Sequence, residues 1–249
     1  MVNKAIIIFG ASGGIGASIR KEFADNGYQL ALCSRNQGYI NTNTVLADRV
    51  DITNENQVKD FVSRVISKFQ RIDVCVNTVG SPSENLIQNN TKTDWDYNFA
   101  LYVTGLSHII NSVVPIMKEQ KSGYIINIGG LRASEPGIKK SIYCSLKAAS
   151  SMLLEVLQEE VEEYKIKVTT IHPGFTNTLF HKSEAKRPYE VCDGVLTKID
   201  IVKPEDIAKL IYTLTLLSTG ACVKEIKIGK VFGFYRKELR LIPCTQIKQ

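Results

Sequence analysis

The stretch Lys4-Ala5-Ile6-Ile7-Ile8-Phe9-Gly10-Ala11-Ser12-Gly13-Gly14-Ile15-Gly16 decides the fold of this chain. Its isoleucine-rich run is broken by glycines and followed by helix-compatible residues 17–23, which is typical of a buried parallel strand turning sharply into a helix. The glycines permit a tight turn and leave backbone N–H groups free at the positive end of the helix. The sequence therefore predicts a phosphate-binding turn.

The glycine spacing departs from the common G-x-G-x-x-G fingerprint of dinucleotide sites. Counted from Gly14, the third glycine would fall at position 19, which is Ile19, and the pattern is instead G-x-x-x-G-x-G. Taken alone, the stretch is also compatible with a glycine-rich turn that holds no ligand.

Length and composition indicate one globular domain over residues 1–249. The chain is 44% hydrophobic, and no Pro/Gly/Ser-rich linker or charge block divides it. Its net charge of +6 comes from 31 basic and 25 acidic residues spread along the sequence, as on an ordinary solvated surface. The basic residues form no patch interleaved with aromatic residues, so nucleic acid is the least favoured partner.

Cysteine usage and the N-terminus favour a soluble cytoplasmic protein. The six cysteines are widely spaced, with no C-x-x-C and no nearby paired histidines, so we expect reduced thiols and no bound metal. The chain enters a strand within a few residues, leaving no room for a signal peptide, and no apolar run is expected to reach membrane-spanning length.

Strand and helix patterns alternate along the chain. Strands are predicted at 4–9, 28–33, 45–53, 71–80, 124–130, 165–171 and 223–228, and helices at 17–23, 55–69 (capped by Thr53), 93–117, 141–164 and from Pro204. The prediction is an α/β fold, a single-domain Rossmann-type doubly wound parallel sheet of about seven strands with helices on both faces. Residues 175–203 read as a long irregular segment, with a substrate loop at about 178–203, and the basic tail 230–249 is left unplaced.

The end of the second strand carries the signal for the cofactor. In dinucleotide folds an acidic residue at this point accepts from the adenosine 2′-OH, whereas an arginine pairs with a 2′-phosphate. Here Ser34-Arg35 stands without an acid, which favours NADP over NAD, although Arg35 could also be an exposed loop residue. Asp51 could accept a hydrogen bond from the adenine amine or could simply start a turn.

Tyr143 and Lys147 lie four residues apart on a predicted helix, so their side chains share a face. A free tyrosine titrates near about pH 10, and a neighbouring ammonium lowers the cost of its phenolate. Lowering a tyrosine pKa by about three units needs roughly 4 kcal/mol. A Tyr/Lys pair at helical spacing is also common without any role.

Asn98, flanked by core positions, is a candidate for a bend or a site.

Taken together, these features show that the chain resembles the short-chain dehydrogenase/reductase family over nearly its whole length. The resemblance rests on Gly10-Ala11-Ser12-Gly13-Gly14-Ile15-Gly16, Asp51, Asn77 and Gly80 of the family's N-N-A-G element, Asn98, Tyr143-x-x-x-Lys147, and Pro173-Gly174 with Thr178.

The resemblance implies a role for each matching residue. Tyr143 would be the general acid or base, Lys147 would lower its pKa and hold the nicotinamide ribose, and Asn98 would anchor a water in the proton relay. Cofactor-binding residues would be Gly10, Ser12, Gly13, Gly14, Ile15, Gly16, Ser34, Arg35, Asp51, Ile52, Asn77, Tyr143, Lys147, Pro173, Gly174 and Thr176. A homodimer or homotetramer through the helices bearing Asn98 and Tyr143 would be usual.

The chain departs from the family pattern where its catalytic serine is expected. Thirteen residues before Tyr143 stands Gly130, so a hydroxyl that should polarise the substrate oxygen is missing. Loss of one such donor typically lowers rates by about 10²–10³-fold, and Ser134, Ser141 or a water could substitute. The N-N-A-G element is altered to Asn77-Thr78-Val79-Gly80, and the usual final glycine pair is only Gly229-Lys230.

Two functional hypotheses follow. The first is an NADP(H)-dependent oxidoreductase acting on a ketone or secondary alcohol, such as a 3-oxoacyl substrate. Its anionic carrier group could meet His181, Lys182, Lys186 and Arg187, although the sequence favours solvated loop charges for these four residues. The second is an NADP(H)-binding homologue with impaired or no catalysis that serves as a sensor or scaffold. Retention of Tyr143 and Lys147 favours the first, and Gly130 favours the second.

Overall fold

The computed structural model describes residues 4–35, 41–176, 178, 189–192, 195–198 and 202–229. Its strands are β1 Ala5–Phe9, β2 Gln29–Ser34, β3 Val45–Arg49, β4 Val74–Asn77, β5 Gly123–Ile128, β6 Ile166–Pro173, β7 Tyr189–Cys192, β8 Val195–Lys198 and β9 Glu225–Ile228. Its α-helices are α1 Gly14–Asp25, α2 Glu55–Phe69, α3 Lys92–Phe99, α4 Gly105–Gln120, α5 Ser141–Val161 and α6 Pro204–Leu216. Short 3₁₀ helices lie at Ile87–Asn89, Leu131–Ala133 and Glu162–Tyr164, and a π-helix lies at Ala100–Thr104.

Seven parallel strands form the main sheet in the order β3-β2-β1-β4-β5-β6-β9. β1 lies between β2 and β4, so the strand order reverses beside it. In open α/β sheets, ligands bind outside the carboxyl ends of the strands at such a reversal. The predicted Rossmann-type doubly wound sheet is confirmed.

Two hydrophobic cores cover the two faces of the sheet. From β1, Ile7 and Phe9 pack into the core formed with α2, α4 and α5, whereas Ile6 and Ile8 pack into the core formed with α1 and α6. Successive strand residues point to opposite faces, so a strand covered on both sides must be apolar throughout. This burial explains the isoleucine-rich run of β1.

The predicted helix 93–117 is a composite in the structure. α3 ends at Phe99, the π-helix follows, and α4 begins at Gly105, directly beyond the segment where Asn98 indicated a bend. The cap of α2 is Asn54 rather than Thr53. Asn54 accepts from the Gln57 N–H, while the Thr53 N–H and hydroxyl both donate to Asp51 in the preceding turn.

Two other expectations change. Residues 175–203 are not irregular throughout, because β7 and β8 form an antiparallel pair within them. The helical stretch Lys92–Gln120 spans 29 residues and contains an 18-residue window with a mean hydropathy of 1.4, so by length and composition it could cross a bilayer, contrary to the expectation that no apolar run reaches that length. The core helix of a soluble protein has the same features, and α4 buries Leu106, Ile109, Val113 and Met117 in the core. The tail 230–249 and most of the predicted substrate loop lie outside the described residues.

Candidate active site

A cleft of about 560 Å³ opens at the carboxyl ends of the central strands. One end is formed by the turn after β1 and the end of β2, and the other by the end of β5, the start of α5 and the end of β6. The predicted site residues that line it are Gly10, Ser12, Gly13, Gly14, Ile15, Gly16, Ser34, Arg35, Asp51, Ile52, Tyr143, Lys147, Pro173, Gly174 and Thr176. Folding therefore brings residues from most of the chain into one cavity.

The glycine-rich turn has the geometry of a phosphate cradle. Gly10 has a φ of +88°, a conformation that side chains disfavour. A Cβ at Gly16 would lie 2.3 Å from the Gly10 carbonyl oxygen, so only glycine lets α1 begin this close to the strand. The first-turn N–H groups of a helix lack partners within it and attract anions. These residues fit the pyrophosphate of a dinucleotide.

The end of β2 forms the next part of the cleft. Ser34 and Arg35 line it, and the Arg35 Nη1 donates to the Tyr97 hydroxyl at 3.1 Å. Asp51 also lines the cleft, and its Oδ1 accepts from the Thr53 N–H at 3.0 Å and hydroxyl at 2.8 Å. The two interpretations of Asp51 are thus compatible, since it both starts the turn and faces the cavity.

Tyr143 and Lys147 form the opposite end of the cleft. Lys147 is only 4% exposed, and its Nζ donates to the Ile128 carbonyl at 2.7 Å and lies 5.9 Å from the Tyr143 ring centroid. Burial lowers the pKa of Lys147 to about 7. A proton on this amine is therefore easily gained or lost near neutral pH, as a group that assists proton transfer requires.

The position of the missing serine is filled by the tyrosine. Gly130 has an extended backbone that any residue could adopt, but a Cβ there would lie 2.9 Å from the Tyr143 hydroxyl oxygen. Neither suggested substitute lines the cleft: Ser141 accepts from Asn90 Nδ2 at 2.8 Å, and Ser134 lies exposed near the Leu131 carbonyl.

A buried histidine fixes the backbone at Gly130. The Nδ1 of His172 lies 3.2 Å from the Gly130 N and 2.9 Å from the Gly130 O, and the ring is 3% exposed. Burial lowers the pKa of His172. Since the ring also lies 2.6 Å from where a Gly129 Cβ would be, this turn is shaped around His172 on one side and Tyr143 on the other.

Two predicted site residues do not line the cleft. Asn77 is buried, donating to Asn127 Oδ1 at 2.9 Å and accepting from the Val79 N–H at 3.1 Å, so it supports the cleft wall from beneath. Asn98 is 6% exposed, donates to the Asp94 carbonyl, and lines a separate cavity of about 300 Å³ beside the loop after β4.

Three residues near the reactive end were not singled out from the sequence. Arg132 and Lys140 line the cleft, and Lys140 forms an ion pair with Glu84 from the loop after β4. Tyr102 lies behind the cleft wall against Tyr143 and Lys147. Arg132 could have been found from the sequence, because it lies two residues after Gly130, where the chain departs from the family pattern. The sequence around Tyr102 contains no motif that indicates a role. In the described part of the chain, no group of three or more His, Cys, Asp or Glu side chains could hold a metal.

The model of the short chain dehydrogenase family matches residues 4–188. The chain is 31% identical over 186 residues to an uncharacterized oxidoreductase of Staphylococcus saprophyticus, covering 71% of this chain and 80% of that protein. It is 31% identical over 187 residues to the 3-oxoacyl-(acyl-carrier-protein) reductase FabG of Chlamydia pneumoniae, covering 72% and 75%. The chain therefore belongs to the short-chain dehydrogenase family of oxidoreductases.

Solved structures share the fold at lower identity. A serine dehydrogenase complexed with NADP+ superposes with a TM-score of 0.83 at 21% identity, covering 94% of this chain and 98% of that one. A 3-ketoacyl-(acyl-carrier-protein) reductase of Brucella melitensis complexed with NADH has a TM-score of 0.75 at 21% identity, covering 91% and 98%.

Proposed function

We propose that this chain is an NADP(H)-dependent oxidoreductase that transfers a hydride between the nicotinamide and a ketone or secondary alcohol. One observation carries the proposal: the cleft that begins at the glycine-rich turn and Arg35 ends at Tyr143 and Lys147. The cofactor's phosphates and its reacting ring thus have suitable partners at opposite ends of one cavity.

The residues of the reactive end divide the work of proton transfer. When bound, the cofactor supplies or accepts the hydride. The Tyr143 hydroxyl donates its proton to the carbonyl oxygen of the substrate in reduction and takes it back in oxidation. The buried Lys147 ammonium favours the phenolate that this transfer leaves behind.

Arg35 is the proposed determinant of NADP over NAD. It lines the cleft directly after β2, and no acidic residue stands beside it to accept from a ribose 2′-OH. Arg35→Ala should weaken NADPH binding by about 10–100-fold, because a charge-assisted hydrogen bond contributes roughly 1.4–3 kcal/mol to the binding free energy. The affinity for NADH should stay within a factor of three of the wild-type value. Arg64→Ala, on the outer face of α2, is the matched control. An equal loss for both nucleotides would contradict the NADP preference.

The substrate class is proposed as a carbonyl compound of the 3-oxoacyl type or a related ketone. The Chlamydia relative carries that activity in its name, and Arg132 adds positive charge to the cleft. NADPH oxidation should be followed with acetoacetyl thioesters, 3-oxo acids and uncharged ketones, with Tyr143→Phe as the inactive control. Turnover of any member supports the enzyme.

The second candidate is an NADP(H)-binding homologue with little or no catalysis that acts as a sensor or scaffold. Gly130 favours it, since the residue offers no hydroxyl to the substrate oxygen. Tight NADPH binding, seen by quenching of nucleotide fluorescence, without oxidation on any substrate would select this candidate.

We further propose a cytoplasmic homodimer or homotetramer. Met152 and Val156, one turn apart on α5, are 58% and 52% exposed, and Phe99 at the end of α3 is 48% exposed. Contact between copies would remove these apolar side chains from water. Light scattering of the purified protein gives the mass, and Met152→Asp should shift it toward the monomer.

A further inference from the structure

Tyr102 occupies an unusual position behind the wall of the cleft. It lies at the centre of the π-helix Ala100–Thr104 and is 4% exposed. π-helical turns are rare and often occur at functional sites. Tyr102 itself does not line the cleft, so any part it plays is exerted through its neighbours.

The ring of Tyr102 contacts both members of the reactive pair. Its centroid lies 6.0 Å from that of Tyr143 with an interplanar angle of 84°, an edge-to-face arrangement that aromatic pairs prefer. The Nζ of Lys147 lies 4.9 Å from the same centroid, within the range of a cation–π contact. One ring thus fixes the position of the phenol and faces the amine.

The hydroxyl of Tyr102 holds the ring in place. It donates to the Ser81 carbonyl at 2.5 Å and accepts from the Ser81 N–H at 2.8 Å, so both hydrogen-bonding capacities meet one residue of the loop after β4. Burial raises the pKa of Tyr102, which keeps this hydroxyl protonated and able to donate. Val79 and Gly80, just before Ser81, line the cleft.

Lys147 needs such a neighbour because its surroundings supply no negative charge. The groups that face it are the Ile128 carbonyl from β5, the ring of Tyr143 on its own helix, the ring of Tyr102, and His172 from β6. None of the described residues around it is a carboxylate. After the Ile128 carbonyl oxygen at 2.7 Å, the electron-rich face of Tyr102, whose centroid is 4.9 Å away, is therefore the nearest group that favours the ammonium.

We propose that Tyr102 is a positioning residue of the active site, whose ring face stabilises the Lys147 ammonium and whose Ser81 contacts hold the ring against Tyr143. The proposal deepens the proposed function, on which it rests for its catalytic meaning. The interaction itself exists in the protein alone and can be measured without a substrate.

The test is the ionisation of Lys147 measured directly. Protein carrying ¹³C at the lysine Cε is titrated by NMR, and the Lys147 signal is assigned by its absence from Lys147→Met. Tyr102→Leu removes the ring face and should lower the pKa of Lys147 by about one unit. Tyr102→Phe keeps the ring and should leave that pKa within about 0.3 units.

A matched control comes from β5. Tyr124 is 3% exposed, its hydroxyl bonds to Thr169, and Lys167 lies 4.9 Å from its ring centroid, yet it does not line the cleft. Tyr124→Leu removes a buried tyrosine of the same kind and should leave the Lys147 titration unchanged. A shift in both variants would indicate general loosening and overturn the proposal.

An isosteric series keeps the test decisive if Tyr102→Leu does not fold. Phenylalanine and 3,4,5-trifluorophenylalanine are placed at position 102 in turn, because fluorination weakens the ring face with little change of shape. The pKa of Lys147 should fall from the first to the second, and an unchanged pKa overturns the proposal. In turnover assays, Tyr102→Leu should lower kcat about tenfold, keep KM within threefold of the wild-type value and shift the pH profile of kcat. If the wild-type protein neither binds nor oxidises NADPH, the proposed function is refuted, but the result of the Lys147 titration still stands.

Discussion

The two ends of the cleft are built in different ways. At the nucleotide end, one continuous stretch makes the turn, and its backbone is shaped by glycines such as Gly10 and Gly16 that admit no side chain. At the reactive end, Tyr143 is packed against Gly130, Tyr102 and Lys147, which come from three separate segments of the chain. The nucleotide end is therefore a local feature of the sequence. The reactive end is a tertiary assembly, in which the Tyr143 hydroxyl lies beside the position where Gly130 lacks a side chain.

The largest effect is expected from removing the hydroxyl at the reactive end. Tyr143→Phe keeps the ring against Tyr102 but loses the proton donor, and kcat should fall about 10³-fold. The dissociation constant for NADPH should stay within a factor of three, because the phosphate contacts are at the other end. Tyr212→Phe, in α6, should leave both quantities unchanged. Retention of more than a tenth of kcat would place the proton donor elsewhere.

Next in size is the pH dependence of stability that Lys147 causes. Burial lowers its pKa from the ordinary value of 10.5 to about 7 in the folded state. Between these values the unfolded chain takes up a proton that the folded protein does not, so folding is progressively disfavoured as the pH falls. Lys147→Met removes this effect.

The free energy of unfolding of Lys147→Met minus that of wild type should therefore rise as the pH is lowered, by about 1.4 kcal/mol per pH unit well above pH 7, by roughly 2 kcal/mol in all from pH 9 to pH 7, and level off below. Urea unfolding of the cofactor-free protein at several pH values measures it. Lys92→Met, at a lysine whose side chain is 86% exposed, is the matched control. A flat difference for Lys147→Met would mean that the buried amine keeps its ordinary pKa.

At the nucleotide end, Gly10→Ala should weaken NADPH binding by about 30-fold, or roughly 2 kcal/mol. Its Cβ would meet the Thr78 Oγ1 at 2.5 Å at a φ of +88°. Gly27→Ala is the matched control, since Gly27 has a φ of +75° but nothing within 4 Å of the added Cβ. It should lower stability by about 1 kcal/mol and leave binding within threefold. Equal loss of binding in both would point to general strain rather than the cradle.

The smallest effect separates the two candidate functions. Gly130→Ser restores a hydroxyl, but its Cβ would lie 2.9 Å from the Tyr143 hydroxyl oxygen. The tyrosine must then move, and we expect kcat/KM to fall about tenfold, with Gly130→Ala falling equally. A large gain in Gly130→Ser alone would show that the missing hydroxyl limits the native enzyme.

Much of the nucleotide end could be predicted because its signals are local. The strand, the glycines and Arg35 follow one another within the first 35 residues, and the structure places them along one cleft. Asn77 and Asn98 fell outside the cleft because their place depends on side-chain direction, which spacing does not give. The π-helix next to Asn98 was visible only as a bend.

The sequence by itself determined the alternation of strands and helices, the phosphate-binding turn and the Tyr143/Lys147 pair, since each depends on residues close together in the chain. Only the tertiary structure decided that the Tyr143 hydroxyl lies where a Gly130 side chain would stand and that no described carboxylate lies beside Lys147. It also decided that the Tyr102 ring contacts both Tyr143 and Lys147. These are contacts between distant segments, and packing in three dimensions fixes them.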